Sequence, residues 1–424
     1  MLDIKFIREN PSRVQKAAEH KGVRVNIDHL LKIDHEYREL FQSVQKLREE
    51  RNALNEQIKK NPNQWDKEGA QFLKQKLEQK EHALSALKEE FDSELLKVPN
   101  LPKDDVKVGK DESENEVIRK HKEPTKFTFK PKDHLELGET LDIIDVQRAA
   151  KVSGARFAYL KNDGVLLEFA LVQLALETLI KEGFIPVVPP VLIKTDVMRG
   201  MGYMEHGADE DMFAIPKDDF ILVGTAEHAI VPIHKDEVLQ GKKLPLRYVG
   251  FSTAFRREAG SYGKDTRGMF RVHQFDKVEM VSYIPEGEDD KEHEYLLSLE
   301  EKFFQLLDIP YQVVKMCTGD LGFPTARKYD IEAWMPGQNT YREVTSASTI
   351  TDFQSRRLNI KYLPAGRQAK DGADKKFAAV LNGTAFAIGR TIIAILENYQ
   401  QADGSVVIPK VLQKYVGKSV IKPQ

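Results

Sequence analysis

The chain has 424 residues, 41% hydrophobic and 31% charged, the composition of a soluble, highly charged globular protein with room for two or three domains and at least one substantial core. Its 64 Lys+Arg against 66 Asp+Glu leave a formal charge of −2, so any polyanionic partner has to be met by local patches and not by net charge. A single cysteine, Cys317, excludes an intramolecular disulfide and a multi-cysteine metal site; the charged start MLDIKFIREN is no signal peptide, and no apolar run approaches the roughly 18 residues that span a bilayer, so a cytoplasmic protein without membrane contact is expected.

Residues 1–25 read as a small helical entry, with Asn10-Pro11-Ser12 as a helix start. From Asp28, the residues Leu30, Leu31, Ile33, Tyr37, Leu40, Phe41, Val44, Leu47, Leu54 and Ile58 recur at spacings of three and four, predicting an amphipathic helix of roughly 30 residues, about 45 Å long. Asn61-Pro62-Asn63 breaks it. A second run through Phe72, Leu73, Leu77, Leu84, Leu87, Phe91 and Leu95 follows until Pro99, so residues 28–97 read as an antiparallel coiled-coil arm. Its acids and bases are balanced, which suits dimerisation or scaffolding, while its lysines can also track phosphates. Residues 98–150, rich in Pro, Lys and Asp, read as a connector, placing the arm domain at 1–100 and a second domain at 101–424.

Beyond the connector, 168–180 is apolar at helical spacing and ends at Gly183, and Phe184 to Pro190 follows as a strand closed by prolines. Leu222-Val223-Gly224-Thr225-Ala226-Glu227-His228 puts an acid directly after an apolar strand: either an exposed acid at a helix N-terminus or a ligand for a substrate ammonium. The stretch FSTAFRREAGSYGKDTRGMFRVHQFDKVE, 251–279, reads as a long antiparallel hairpin whose second strand runs from Met269 to Val281, with Arg256, Arg257, Arg267 and Arg271 beside Glu258 and Glu279. It is an edge hairpin with a solvated face or a rigid mount for polyphosphate-binding guanidinium groups. Further on, 329–334 alternates like a strand, Glu343-Val344-Thr345-Ser346 forms the end of the next, and Leu381 to Arg390 leads into an apolar helix over 391–397.

These stretches, in this order, resemble the class II aminoacyl-tRNA synthetases, in the form of the bacterial seryl-tRNA synthetases. F-R-x-E, a Gly-rich loop and G-x-x-R-x-H-Q-F-x-K-V-E are similar to that family's motif 2; the helix, strand and Pro190 to its motif 1; and the Gly389-Arg390 helix start to its motif 3. TGDLGFPTARKYDIEAWMPGQNTYREVTSASTITDFQSRR is a near-literal match, and PN-x-P after the arm is also similar. The resemblance implies an α+β fold in which an antiparallel sheet flanked by helices follows the helical arm. It further implies a homodimer built through motif 1, ATP and Mg2+, and aminoacylation of tRNA(Ser) held by the arm and the motif 2 loop, and it leaves tRNA(Sec) open as a second acceptor.

Residue by residue, it puts Arg256 between the serine carboxylate and the α-phosphate, Arg257 and Glu258 on ATP, Arg271 on the outer phosphates and Val272 against the base. Phe275 would stack on adenine with Arg390 opposite, and Glu343, Val344, Thr345 and Ser346 would line the nucleotide, with Glu343 and Ser346 on magnesium. Thr225, Ala226, Glu227, Glu279, Asn382 and Thr384 would form the serine pocket, with Glu279 accepting from ammonium and hydroxyl. Arg256, Arg271 and Arg390 would carry the catalysis. Three departures stand out: Ala347-Ser348-Thr349-Ile350 replaces Ser-Cys-Ser-Asn, Val380 replaces a threonine, and residues 364–376 look like a polar insertion. His273 reads as structural, Cys317 as a small buried residue, and Arg356 and Arg357 as serving packing or the tRNA. Two rivals remain: a paralogue loading a carrier protein, which would lack the arm, and a non-catalytic coiled-coil protein, which would have lost some of Arg256, Glu279, Glu343 or Arg390.

Overall fold

The computed structural model describes residues 1–62, 65–259, 268–365 and 374–423, in two compact units, Met1–Pro99 and Asn100–Gln424. Arg267, most of the motif 2 loop and most of the 364–376 stretch lie outside the described residues.

In the first unit the arm consists of α1 (Ile27–Lys60) and α2 (Lys67–Leu96). Each starts on a side-chain cap: Asn26 accepts from the His29 N–H and Asp66 from the Gly69 N–H, both at 2.9 Å. The helices run antiparallel, since Tyr37 stacks on Phe91 at 5.7 Å, Lys80 donates to Ser43 at 2.9 Å and Arg48 meets Glu81 at 2.8 Å. Val44, Leu47 and Leu77 are buried in the seam. Phe41 and Phe72, counted in the apolar stripes, are instead 40% and 66% exposed, because a two-helix seam covers a narrower stripe than a globular core does.

The second unit is built on an eight-stranded sheet. Its strands are β1 (Glu116–His121), β2 (Ile185–Val187), β3 (Leu246–Phe255), β4 (Gln274–Ile284), β5 (Tyr311–Lys315), β6 (Arg327–Met335), β7 (Thr340–Thr351) and β8 (Ala379–Ala387), in the order β1-β5-β6-β7-β8-β4-β3-β2. All neighbours pair antiparallel except β2 on β3. This is the class II sheet expected from the sequence. Helices α3 (Asp163–Lys181), α4 (Asp289–Leu306) and α5 (Ile388–Tyr399) share one large core with the strands, in which Phe303 of α4 packs on Phe386 of β8 at 4.9 Å. Burying each such ring contributes about 1.5–3 kcal/mol, so this layer holds the sheet flat side down and leaves the other face to build the site.

Three sequence readings change. The connector is not a free linker: β1 forms the sheet edge on β5, and Asn100 of the PN-x-P run is buried, donating to the carbonyls of Pro324 at 2.9 Å and Ile350 at 2.8 Å. The second hairpin strand starts at Gln274 and not at Met269. Before it, the chain is held by partners outside the ladder: the Met269 N–H donates to His134 Nε2 at 3.3 Å and the His273 N–H to the Arg156 carbonyl at 2.9 Å, while Met269, Phe270 and Val272 sink into the core. Finally, Glu343 to Ser346 lies in the middle of β7, because Ala347 and Thr349 continue the ladder opposite Gly383 and Leu381.

Candidate active site

On the open face of the sheet, β3, β4, β6, β7 and β8 frame a cavity of about 410 Å³. Thr225, Glu227, Arg256, Glu258, Val272, Phe275, Glu343, Val344, Thr345, Ser346, Asn382, Thr384 and Arg390 all line it. Residues far apart in the chain thus meet because the β3–β4 hairpin pairs from Gln274–Phe255 to Tyr283–Leu246 while β8 pairs with both β4 and β7.

At one end lie the arginines. Arg256 leaves the end of β3 with its backbone N–H on the His273 carbonyl at 3.0 Å, and its Nε donates to the Gly224 carbonyl at 3.1 Å. Its guanidinium sits 5.4 Å from the Phe275 ring centroid. Glu258 adopts φ +53°, a strained turn for a side-chain-bearing residue, and its carboxylate meets Arg271 at 3.1 Å. Arg390 rests 4.8 Å from the Phe270 ring centroid and pairs with Glu343 at 3.1 Å. His273 uses Nδ1 on the Arg256 carbonyl at 3.0 Å, a structural role as expected.

At the other end Glu279 is 1% exposed and accepts from the Thr384 hydroxyl at 3.3 Å. Glu227 is not an exposed helix acid. It is buried and accepts from Tyr203 and from Gln354, both at 3.2 Å, and burial followed by the nearby Glu279 charge pushes its pKa up to about 7. His228 is held neutral, near 3, first by burial and then by Arg256 and Lys277, and its Nδ1 accepts from the Gly224 N–H at 3.2 Å.

Some expected residues do not reach the cavity. Ala226 is fully buried in an apolar cluster with Ile230 and Val281, and Arg257 lies 5.6 Å from the Phe213 ring. Arg271 stands beside the cavity through Glu258, and Glu279 lies behind its lining. Thr345 does line the cavity, but its hydroxyl donates to Glu300 Oε2 of α4 at 2.8 Å. Sequence reasoning missed Tyr203, Lys277 and Lys328, which also line the cavity. Lys277 had a signal: two residues before Glu279 on a strand, it shares that residue's face.

Residues 1–102 match the family model for the seryl-tRNA synthetase N-terminal domain, and residues 212–399 that for the tRNA synthetase class II core domain (G, H, P, S and T). A serine–tRNA ligase from Acidothermus cellulolyticus is 46% identical over 432 residues, covering all of both chains. The chain belongs to the seryl-tRNA synthetase family. Among solved structures, seryl-tRNA synthetase from Pyrococcus horikoshii complexed with ATP superposes over all of both chains with a TM-score of 0.91 at 41% identity. The cytoplasmic serine–tRNA ligase of Naegleria fowleri in complex with AMP matches all of this chain and 99% of its own with a TM-score of 0.87 at 29% identity. A full-length arm and the presence of Arg256, Glu279, Glu343 and Arg390 set this family member apart from both rival readings.

Proposed function

We infer that the protein is a serine–tRNA ligase: it activates serine with ATP to seryl-adenylate, releasing diphosphate, and transfers the seryl group to tRNA(Ser). The observation that carries this reading is one cavity lined both by guanidinium groups, Arg256 and Arg390 beside aromatic rings, and by Lys277 and Thr384, behind which the buried Glu279 carboxylate accepts from the Thr384 hydroxyl.

In the first step the serine carboxylate attacks the α-phosphorus, so no protein nucleophile is required and catalysis is alignment plus charge stabilisation. Arg256 lines the cavity with its Nε on the Gly224 carbonyl, and its guanidinium would hold both the serine carboxylate and the α-phosphate as a bidentate fork. Phe275 and Arg390 offer the adenine a ring and a cation, and Arg271 with Glu258 serves the outer phosphates and the base. Arg256→Lys is expected to lower kcat for ATP–pyrophosphate exchange on the order of 10²–10³-fold, because an ammonium keeps the charge and loses the fork.

Glu343 and Ser346 would hold magnesium. Burial raises the Glu343 pKa, but Arg390, Lys328 and Arg256 outweigh it and keep the group near 2, so Glu343 offers an ionised hard-oxygen donor in a cavity that Ser346 also lines. Two protein oxygens leave the remaining positions of such an ion to phosphates and water. When bound, the ion neutralises phosphate charge.

A homodimer is supported by exposed apolar residues on α3 and just after β2: Leu166, Phe169 and Ile180 are 42%, 57% and 49% exposed, and Val188 is 84% exposed. A second copy is the occupant that the motif 1 resemblance implies. Phe169→Asp is expected to raise the dimer dissociation constant by on the order of 30-fold or more, read by light scattering across a dilution series; an unchanged dimer would remove these residues from the interface. The α1–α2 arm is assigned to the tRNA, recognised through backbone and shape. No helix among the described residues is long and apolar enough to cross a membrane.

A further inference from the structure

Lys277 stands between the cavity and Glu279. Its ammonium is 2.6 Å from Glu279 Oε2 and 3.3 Å from the Thr225 hydroxyl, and Lys277 lines the cavity where Glu279 does not. Both side chains are buried, 7% and 1% exposed, and they share one face of β4 two residues apart. The two groups that Lys277 holds are those assigned above to serine, so its ammonium occupies the position that the substrate's α-ammonium must reach.

We propose that Lys277 is an internal stand-in for the α-ammonium of serine, a cation that is held on Glu279 in the empty site and is displaced when the substrate's own ammonium arrives. The proposal rests on the assignment of Glu279 and Thr225 to the serine pocket. A buried carboxylate without a partner is costly, which gives Lys277 its structural reason. Its four-carbon stem and point charge let it move, as a fixed guanidinium fork would not. It also has somewhere to go: the Glu227 carboxyl borders the same cavity and is held by Tyr203 and Gln354 through one oxygen, Oε1. Binding is then an exchange of cations on Glu279, with Lys277 turning toward the Glu227 carboxyl. The groups facing the exchange are Glu279, Glu227, Arg256, His228 and Tyr203.

It follows that a serine analogue lacking only the amino group leaves Lys277 in place and still finds Arg256 and the hydroxyl site. The test is inhibition of serine-dependent ATP–pyrophosphate exchange by 3-hydroxypropanoate in the full-length protein, wild type and Lys277→Met. Competitive inhibition of wild type is expected, with the ratio of its inhibition constant to the serine KM rising about tenfold or more in Lys277→Met, where the analogue meets Glu279 with no cation between them. No inhibition of wild type would overturn the proposal without any variant having to fold. An unchanged ratio in the variant would reduce Lys277 to a structural pair and overturn it equally. Wild type without any serine-dependent exchange would instead overturn the serine-ligase reading beneath it.

Discussion

Glu279→Ala is expected to lower kcat/KM for serine in ATP–pyrophosphate exchange by on the order of 10³ or more. Glu279 is placed to accept from the serine hydroxyl that alanine lacks, because its carboxylate is buried, bonded to Thr384 at 3.3 Å and set on the rigid centre of the sheet between β3 and β8. Removing it leaves both the substrate's polar groups and Lys277 without their acceptor in a site that excludes water, the situation in which lost partners weigh most. Glu279→Gln is the companion variant, since it keeps the volume and the acceptor oxygen but not the charge; it should be impaired less than the alanine variant while remaining far below wild type. Melting temperatures of the variants separate loss of site from loss of fold. A Glu279→Ala protein that folds and keeps serine-dependent exchange within a few fold of wild type would remove Glu279 from the pocket.

Excising residues 28–97, with a short glycine link from 27 to 98, is expected to reduce charging of tRNA(Ser) by on the order of 10³ while serine-dependent exchange stays within a few fold. Every residue lining the cavity lies between Tyr203 and Arg390, inside the unit that runs from Asn100 to the C-terminus. The arm's own seam, Tyr37 on Phe91 and Val44 and Leu47 with Leu77, is internal to the two helices. Adenylate formation therefore has no reason to depend on the arm, whereas a polyanion facing a chain with no net positive charge has to be gripped locally. Loss of both activities in a folded protein would contradict a separate tRNA-binding arm.

The sequence made the arm and the order of the motifs legible because both are carried by local patterns: helical spacing in 28–97 and uninterrupted runs such as FRRE and EVTS. It misplaced what depends on tertiary partners. Met269 to Val272 read as strand because they are apolar and follow a turn, yet His134, far upstream, takes the Met269 N–H and ends the ladder. The edge strand Glu116–His121 was hidden by the polar composition of a segment whose exposed residues need no apolar alternation. In the site, the alternation of a strand places Lys277 and Glu279 together, but only the fold brings Thr225 to the same ammonium and Tyr203 and Gln354 to Glu227. Glu300, buried under Thr345 with a carboxyl pushed well above its usual range by burial, had no sequence signal at all, since it stands in an ordinary amphipathic helix.

Amino-acid-dependent ATP–pyrophosphate exchange on the wild-type protein, with serine, threonine, alanine and glycine compared under the same magnesium concentration, tests the central claim most directly. Serine alone should support strong exchange: alanine and glycine lack the hydroxyl that Glu279 and Thr384 are assigned to hold, and threonine has to fit an extra methyl beside them. Exchange with none of the four, in folded protein, or exchange in which alanine or glycine equals serine, would contradict the account.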